Sequence, residues 1–233
     1  MGNNSLSIFF PCYNDGQTIG SLVIEADKTA QELTNDYEII VIDDGSTDNS
    51  QEVLRELSSK YRCLRIISHN TNKGYGGALK SGFANAIKNL IFYTDGDGQY
   101  DVRELKILYK AMLEETDIVN GYKIERNDPF YRIIIGKIYL FLTRLLFNFK
   151  IRDVDCDFRL IRKEALRGID LIHNSGVICL ELVKKMENKN CLFAEAPIHH
   201  YFRTHGKSQF FNFRRLFKTG VEILVLWKEL YLK

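Results

Sequence analysis

Tyr37-Glu38-Ile39-Ile40-Val41-Ile42-Asp43-Asp44-Gly45-Ser46 is a run of mostly β-branched side chains that stops on two carboxylates, a glycine and a serine. An apolar run of this length, closed by turn formers, reads as a strand buried on both faces. The same design recurs on either side, at residues 6–11, 64–68, 90–95 and 117–121. Between the runs lie amphipathic stretches at 17–33, 49–61, 76–88 and 102–115, long enough for helices. Strand and helix patterns in alternation predict βαβ crossovers, hence an α/β fold with a mostly parallel sheet flanked by helices. Ligands of such sheets bind beyond the carboxyl ends of the strands. The residues to inspect are therefore Tyr13-Asn14-Asp15, Asp43 to Ser46, His69 to Gly77, and Asp95-Gly96-Asp97.

The second half breaks this rhythm. A helical pattern at 129–149 is strongly apolar yet carries Arg132, Lys137 and Arg144, and 210–232 has the same character. Each is too charged to span lipid and too apolar to be wholly solvated. Between them fall a short segment at 158–161, a helix at 177–187 and a strand at 191–196. With 233 residues and no Pro-rich or Ser/Gly-rich linker, the chain reads as one domain with a helical tail.

The 32 Lys and Arg nearly balance the 30 Asp and Glu, but not locally. Lys123, Arg126, Arg132, Lys137, Arg144, Lys150 and Arg152 face only Glu125 and Asp128 within 123–152. Residues 201–233 likewise hold seven cations against Glu222 and Glu229. Two basic segments on an acidic body point to an anionic ligand or surface. Packing on the sheet, on a second copy, or on anionic lipid would each suit their apolar positions. The pattern carries no RRM, helix-turn-helix or zinc-finger signature, so nucleic acid is not expected. Five scattered cysteines fit a reducing compartment, and no basic start leads into an apolar signal core. A cytoplasmic protein is expected, at most peripheral at the cytoplasmic membrane face.

Tyr93-Thr94-Asp95-Gly96-Asp97-Gly98-Gln99 ends a strand on two carboxylates one residue apart. Such charges repel unless a cation lies between them, and hard oxygen ligands suit Mg²⁺ or Mn²⁺ carrying a phosphorylated ligand. A solvated Asp/Gly turn is the plainer alternative. In Asp43 to Ser50, Asp44 suits a base or ribose hydroxyl, whereas Thr47, Asp48 or Asn49 suits capping of the next helix. Asn72-Lys73-Gly74-Tyr75-Gly76-Gly77 is Gly-rich but matches neither dinucleotide nor Walker spacing.

Taken together, Pro11-Cys12-Tyr13-Asn14-Asp15, Ile42 to Asp48, Asn72-Lys73-Gly74 and Asp95 to Gln99 resemble, in order and spacing, the inverting family 2 glycosyltransferases of GT-A fold. Asp155-Cys156-Asp157-Phe158-Arg159 and Arg203-Thr204-His205-Gly206-Lys207-Ser208 are similar to later motifs of the dolichyl- or polyprenyl-phosphate sugar transferases. The resemblance implies a nucleotide-sugar half over 1–121, an acceptor half over 122–208 and a tail over 209–233. It implies a UDP- or GDP-sugar donor, with Pro11, Tyr13, Asp15, Asp44 and Lys73 at the nucleotide. It further implies Asp95, Asp97 and Gln99 at Mg²⁺ or Mn²⁺, and Arg203 and Lys207 on the diphosphate. Arg126, Arg132 and Arg159 would meet the acceptor, a polyprenyl phosphate or a glycan.

Asp95, Asp97, Asp157 and Arg203 are the catalytic candidates. A phosphate acceptor is already ionised and needs no base, whereas a hydroxyl acceptor would need Asp157 or Asp155. Asp157 serves equally as an ion-pair partner for Arg159. Two other readings remain: a phosphohydrolase with Asp95 as nucleophile, and a silent nucleotide-sugar-binding subunit. The first normally places its acid pair after the first strand, and here the pair follows the fourth.

Overall fold

A computed structural model describes residues 5–126, 130–202 and 213–232. The expected strands form as β1 (Leu6–Cys12), β2 (Tyr37–Asp43), β3 (Leu64–Ser68), β4 (Leu90–Thr94) and β5 (Ile118–Arg126). They are followed by β6 (Phe158–Arg162) and β7 (Phe193–His200), in one seven-stranded sheet of order β3-β2-β1-β4-β6-β5-β7. All pairings are parallel except those of β6, which runs antiparallel between β4 and β5. The fold class is as expected, mostly parallel α/β; the inserted antiparallel strand is the departure.

The helices are α1 (Ile19–Leu33), α2 (Ser50–Lys60), α3 (Tyr75–Asn85), α4 (Leu105–Ala111), α5 (Phe130–Phe147), α6 (Ile178–Asn188) and α7 (Phe213–Tyr231). Side chains alternate across each strand, so neighbours in sequence enter different cores. Ile8, Phe10, Ile39 and Val41 pack with Leu22, Val23, Leu54 and Leu105 from α1, α2 and α4. Phe9, Ile40, Ile42, Ile91 and Tyr93 pack with Ala78 and Leu79 of α3 and Ile178 and Leu182 of α6. Burial on both faces is why the runs are continuous rather than alternating. The stretch expected as one helix at 102–115 is shorter. Its start is a tight turn in which the Asp101 side chain accepts from Arg103 N at 2.9 Å.

The helix α3 lies close to the sheet because Gly82 has no side chain. A Cβ there would fall 2.3 Å from the Phe9 ring, which stacks on Tyr93 with centroids 5.3 Å apart. Gly82→Ala improves helix propensity by about 1 kcal/mol but overpacks the core by about 1–3 kcal/mol. Net destabilisation is expected in urea unfolding, with a midpoint shift toward lower urea.

A third core joins α5, α6 and α7 through Phe147, Phe149, Leu180, Val183, Ile223 and Leu226. Ser175 Oγ donates to Glu222 Oε2 at 2.5 Å, and Tyr231 OH to the Phe147 carbonyl at 3.1 Å, tying α7 down. On their other sides α5 leaves Phe141 and Leu145 about two-thirds exposed, at 67% and 72%, and α7 exposes Val221, Leu224 and Val225. No helix among the described residues is long and apolar enough to cross a membrane.

Candidate active site

The antiparallel course of β6 builds the site. Its first residue, Phe158, pairs with Thr94 at the carboxyl end of β4, and Arg159 pairs with Tyr93. The residues just before β6 therefore arrive at the same sheet edge as those just after β4. Asp157 and Asp155 join Asp95 and Asp97 there, although nothing in local sequence links them. Crowding by protein, then the Asp157 and Asp97 charges, hold the Asp95 carboxyl well above the usual carboxylate range. Tyr75 OH, at the start of α3, donates to Asp95 Oδ1 at 2.7 Å. Gln99 N donates to Asp97 Oδ1 at 3.0 Å. From β5, Lys123 brings a positive charge that works against the rise at Asp95 and donates its Nζ to the Asp155 carbonyl at 3.1 Å.

These oxygens suit a divalent cation. Burial first, and then the neighbouring carboxylate charges, disfavour the ionised form of Asp95; Mg²⁺ or Mn²⁺, which take carboxylate oxygen readily, would favour it. Among the described residues no group of three or more His, Cys, Asp or Glu is arranged to hold a metal. The donor set thus fits a cation that a phosphorylated ligand and water complete, not an all-protein cage. Gln99 was expected as a third ligand. Its amide nitrogen donates to the Tyr201 carbonyl at 3.1 Å, and its own carbonyl accepts from Tyr201 N at 2.8 Å, so the residue pins the end of β7 to the acidic loop.

At the neighbouring strand ends, Pro11 is buried within β1, Tyr13 is 40% exposed, and Asp15 Oδ2 accepts from Tyr13 N at 3.2 Å. Asn14 holds a left-handed φ of 58°. From there its Oδ1 accepts from Thr47 N at 2.8 Å, and its N donates to Ser46 Oγ at 3.0 Å, stitching the β1 and β2 loops together. The N-cap position of α2 falls to Asn49, whose side chain makes no capping bond; Asp48, one residue earlier, accepts from Ser50 N at 2.9 Å and from Gly16 N at 3.1 Å. Asp44 is 3% exposed and takes hydrogen bonds from His69, Lys73 N and Gly74 N. The Lys73 side chain is exposed.

Arg159 is a correction. Expected at the acceptor, it is fully buried. Its guanidinium donates to Asn120 Oδ1 at 2.6 Å, Asp157 Oδ1 at 2.9 Å, the Val154 carbonyl at 2.5 Å and the Tyr93 hydroxyl. No donor is turned to solvent, so it holds Asp157 in place rather than meeting a ligand. Cys179 Sγ donates to the same Asp157 oxygen at 3.0 Å. Arg203 and Lys207 lie outside the described residues, as do the side chains of Arg126 and Arg132, whose backbones belong to β5 and α5. Asn14, His69 and Tyr75 fall in the loops singled out from the sequence but with no role assigned there, and Lys123 enters there only for its charge. Tyr75 had a visible signal, since it interrupts the Gly-rich loop.

Residues 7–170 match the model of the family described as glycosyl transferase family 2, which is most of the chain. The chain belongs to glycosyl transferase family 2. The matched stretch runs from β1 past β6 and so contains Asp44, Asp95, Asp97, Asp155 and Asp157. Among relatives of this family 2 member is the dolichol-phosphate mannosyltransferase of Pyrococcus furiosus, 32% identical over 213 residues. That match covers 88% of this chain and 58% of the relative, so the chain spans little more than half of that protein's length. Two crystal structures of glucosyl-3-phosphoglycerate synthase from Mycobacterium tuberculosis share the fold. One is in complex with Mn²⁺, uridine diphosphate and phosphoglyceric acid, at TM-score 0.73 and 17% identity, covering 97% of this chain and 78% of that one. The other is in complex with Mn²⁺, UDP-glucose and glycerol 3-phosphate, at TM-score 0.73 and 16% identity, covering 97% and 79%. At such identities the likeness speaks for the fold alone, and it is the expected GT-A fold.

Proposed function

We propose that this family 2 glycosyltransferase moves a sugar, with inversion, from a UDP- or GDP-sugar to a polyprenyl phosphate. The observation that carries the reading is the convergence of Asp95, Asp97 and Asp157 at one strand edge beside the Gly-rich loop. Asp95 and Asp97 would hold Mg²⁺ or Mn²⁺, which supplies positive charge to the leaving diphosphate as its bond to the sugar breaks. Pro11, Tyr13, Asp15, Asp44 and Lys73 would line the nucleotide, Arg203 and Lys207 the diphosphate, and Arg126 and Arg132 the acceptor phosphate. An ionised phosphate oxygen attacks without a base, so Asp157 need only position the sugar. The mannosyltransferase relative and the Mn²⁺ and uridine diphosphate complexes support the substrate classes. Incubation with UDP- and GDP-sugars, Mn²⁺ and a short polyprenyl phosphate is expected to yield a sugar-phosphate lipid. Donor binding with no transfer to any acceptor would instead identify a silent binding subunit.

One observation favours a saccharide hydroxyl acceptor as a second reading. Burial pushes Asp155 up to about 7, with Asp153 and Asp157 adding to the rise and Lys123 and Arg159 opposing it. A raised carboxyl is protonated below that pH and becomes a base only above it. Transfer to a hydroxyl is therefore expected to climb about tenfold per pH unit below about 7 and then level, and Asp155→Asn to remove the climb. Transfer to a phosphate at pH 7 to 9 is expected to be flat and insensitive to that substitution. The pH profile of kcat/KM with each acceptor decides between them.

The exposed apolar faces of α5 and α7 would rest on anionic lipid at the cytoplasmic membrane face, because Arg144, Lys218 and Lys228 are exposed on the same helices. Salt-sensitive cosedimentation with phosphatidylglycerol vesicles supports that contact. A salt-independent dimer that ignores vesicles would assign the surface to a second copy.

A further inference from the structure

His69 follows β3 directly, is 7% exposed, and has both ring nitrogens engaged. Its Nδ1 lies 2.6 Å from Asp44 Oδ1 and its Nε2 lies 2.8 Å from Ser81 Oγ, inside α3. An ionised carboxylate only accepts, so Nδ1 carries the proton and donates, and in the neutral ring Nε2 accepts from the Ser81 hydroxyl. The three side chains join the ends of β2 and β3 to the body of α3. Above them passes the Gly-rich loop, whose Lys73 N and Gly74 N donate to Asp44 Oδ1 and Oδ2 at 2.8 and 2.9 Å. Gly45, at φ 75°, lets that loop come close, since a Cβ there would lie 3.1 Å from Asn72 N.

The lone pairs decide what Asp44 can still do. Two acceptor positions on Oδ1 are filled by His69 and Lys73 N, and one on Oδ2 by Gly74 N. One position on Oδ2 remains for a ligand. Without the ring, Asp44 would keep only its two bonds to the Lys73 and Gly74 amides, and the carboxylate could turn about its χ2 angle. We infer that His69, braced by Ser81, is a positioning residue that orients Asp44 and the Lys73–Gly74 turn for the nucleoside of the donor. It touches no substrate itself. This rests on the proposed nucleotide-sugar reading of the same site.

The test compares His69→Leu, His69→Asn and Ser81→Ala with the native chain. The Asn amide nitrogen can stand in for Nδ1, so it keeps the bond to Asp44 and gives up Ser81. Two readouts are needed: amide exchange of the peptide containing Lys73 and Gly74, and titration with UDP and GDP in the presence of Mn²⁺. His69→Leu is expected to speed exchange and weaken nucleotide binding by about tenfold or more, raising donor KM with little change in kcat. His69→Asn should recover most of both, with Ser81→Ala in between. If His69→Leu fails to fold, the Asn and Ala variants carry the same comparison. Native exchange in His69→Leu, or an Asn variant with no recovery at unchanged melting temperature, overturns the inference. A native chain that binds neither nucleotide overturns the nucleotide reading instead, and the exchange readout still decides whether His69 orders the loop.

Discussion

Asp97→Ala is expected to lower sugar transfer by about 10³-fold or more and to leave the fold intact. The two halves of that result have one cause. Asp97 and Asp157 both push Asp95 toward its protonated form, so the acid cluster stands in mutual repulsion. Removing one carboxylate relieves the repulsion and, on the proposed reading, would take a ligand from the cation at the same time. The melting temperature should hold or rise slightly while Mn²⁺ affinity in the presence of UDP falls. Asp97→Asn keeps the shape and loses the charge, and it should behave almost as badly. Initial rates at saturating Mn²⁺ together with thermal melts check both halves; full transfer by either variant would reject the assignment of the leaving-group site.

Arg159→Met has the largest expected cost in stability, about 3–5 kcal/mol. The guanidinium is fully buried and serves Asn120, Asp157, Tyr93 and the Val154 carbonyl. Met fills the volume but leaves those acceptors unpaired, and the Asp157 charge loses its partner. Urea unfolding measures the loss. The double variant Arg159→Met with Asp157→Asn should recover part of it, because the stranded charge is gone. A loss below about 1 kcal/mol would mean that water reaches these groups and that Arg159 does not hold Asp157.

Arg159 divides what the chain shows from what it hides. In Asp157-Phe158-Arg159 the expected ion pair forms, at 2.9 Å, but the burial that turns Arg159 away from an acceptor is not visible in sequence, since charged residues are seldom fully buried without partners. Whether it is buried depends on Asn120 and Tyr93, which lie 39 and 66 residues away in sequence. The contact of Gln99 is hidden for a similar reason: the Tyr201 carbonyl that its amide nitrogen meets lies 102 residues further along the chain. The helix start expected around Thr47, Asp48 or Asn49 is where α2 begins, and Asp48 accepts from Ser50 N only two residues away, a contact within reach of local sequence. His69 fell within the stretch singled out after β3, yet its role depends on Asp44 and Ser81 meeting in space.

The strands, the helices between them and the acidic or Gly-rich residues at their ends were determined by the chain itself. Burial on both faces demands continuous apolar runs, and turns demand Asp, Gly and Asn, and both requirements act over a few residues. The tertiary structure alone decided that β6 would enter antiparallel between β4 and β5, bringing Asp157 to Asp95 and sealing Arg159 beneath them. Pairing order is settled by contacts between distant segments, and a charged group's solvation and ionisation follow from which segments end up around it.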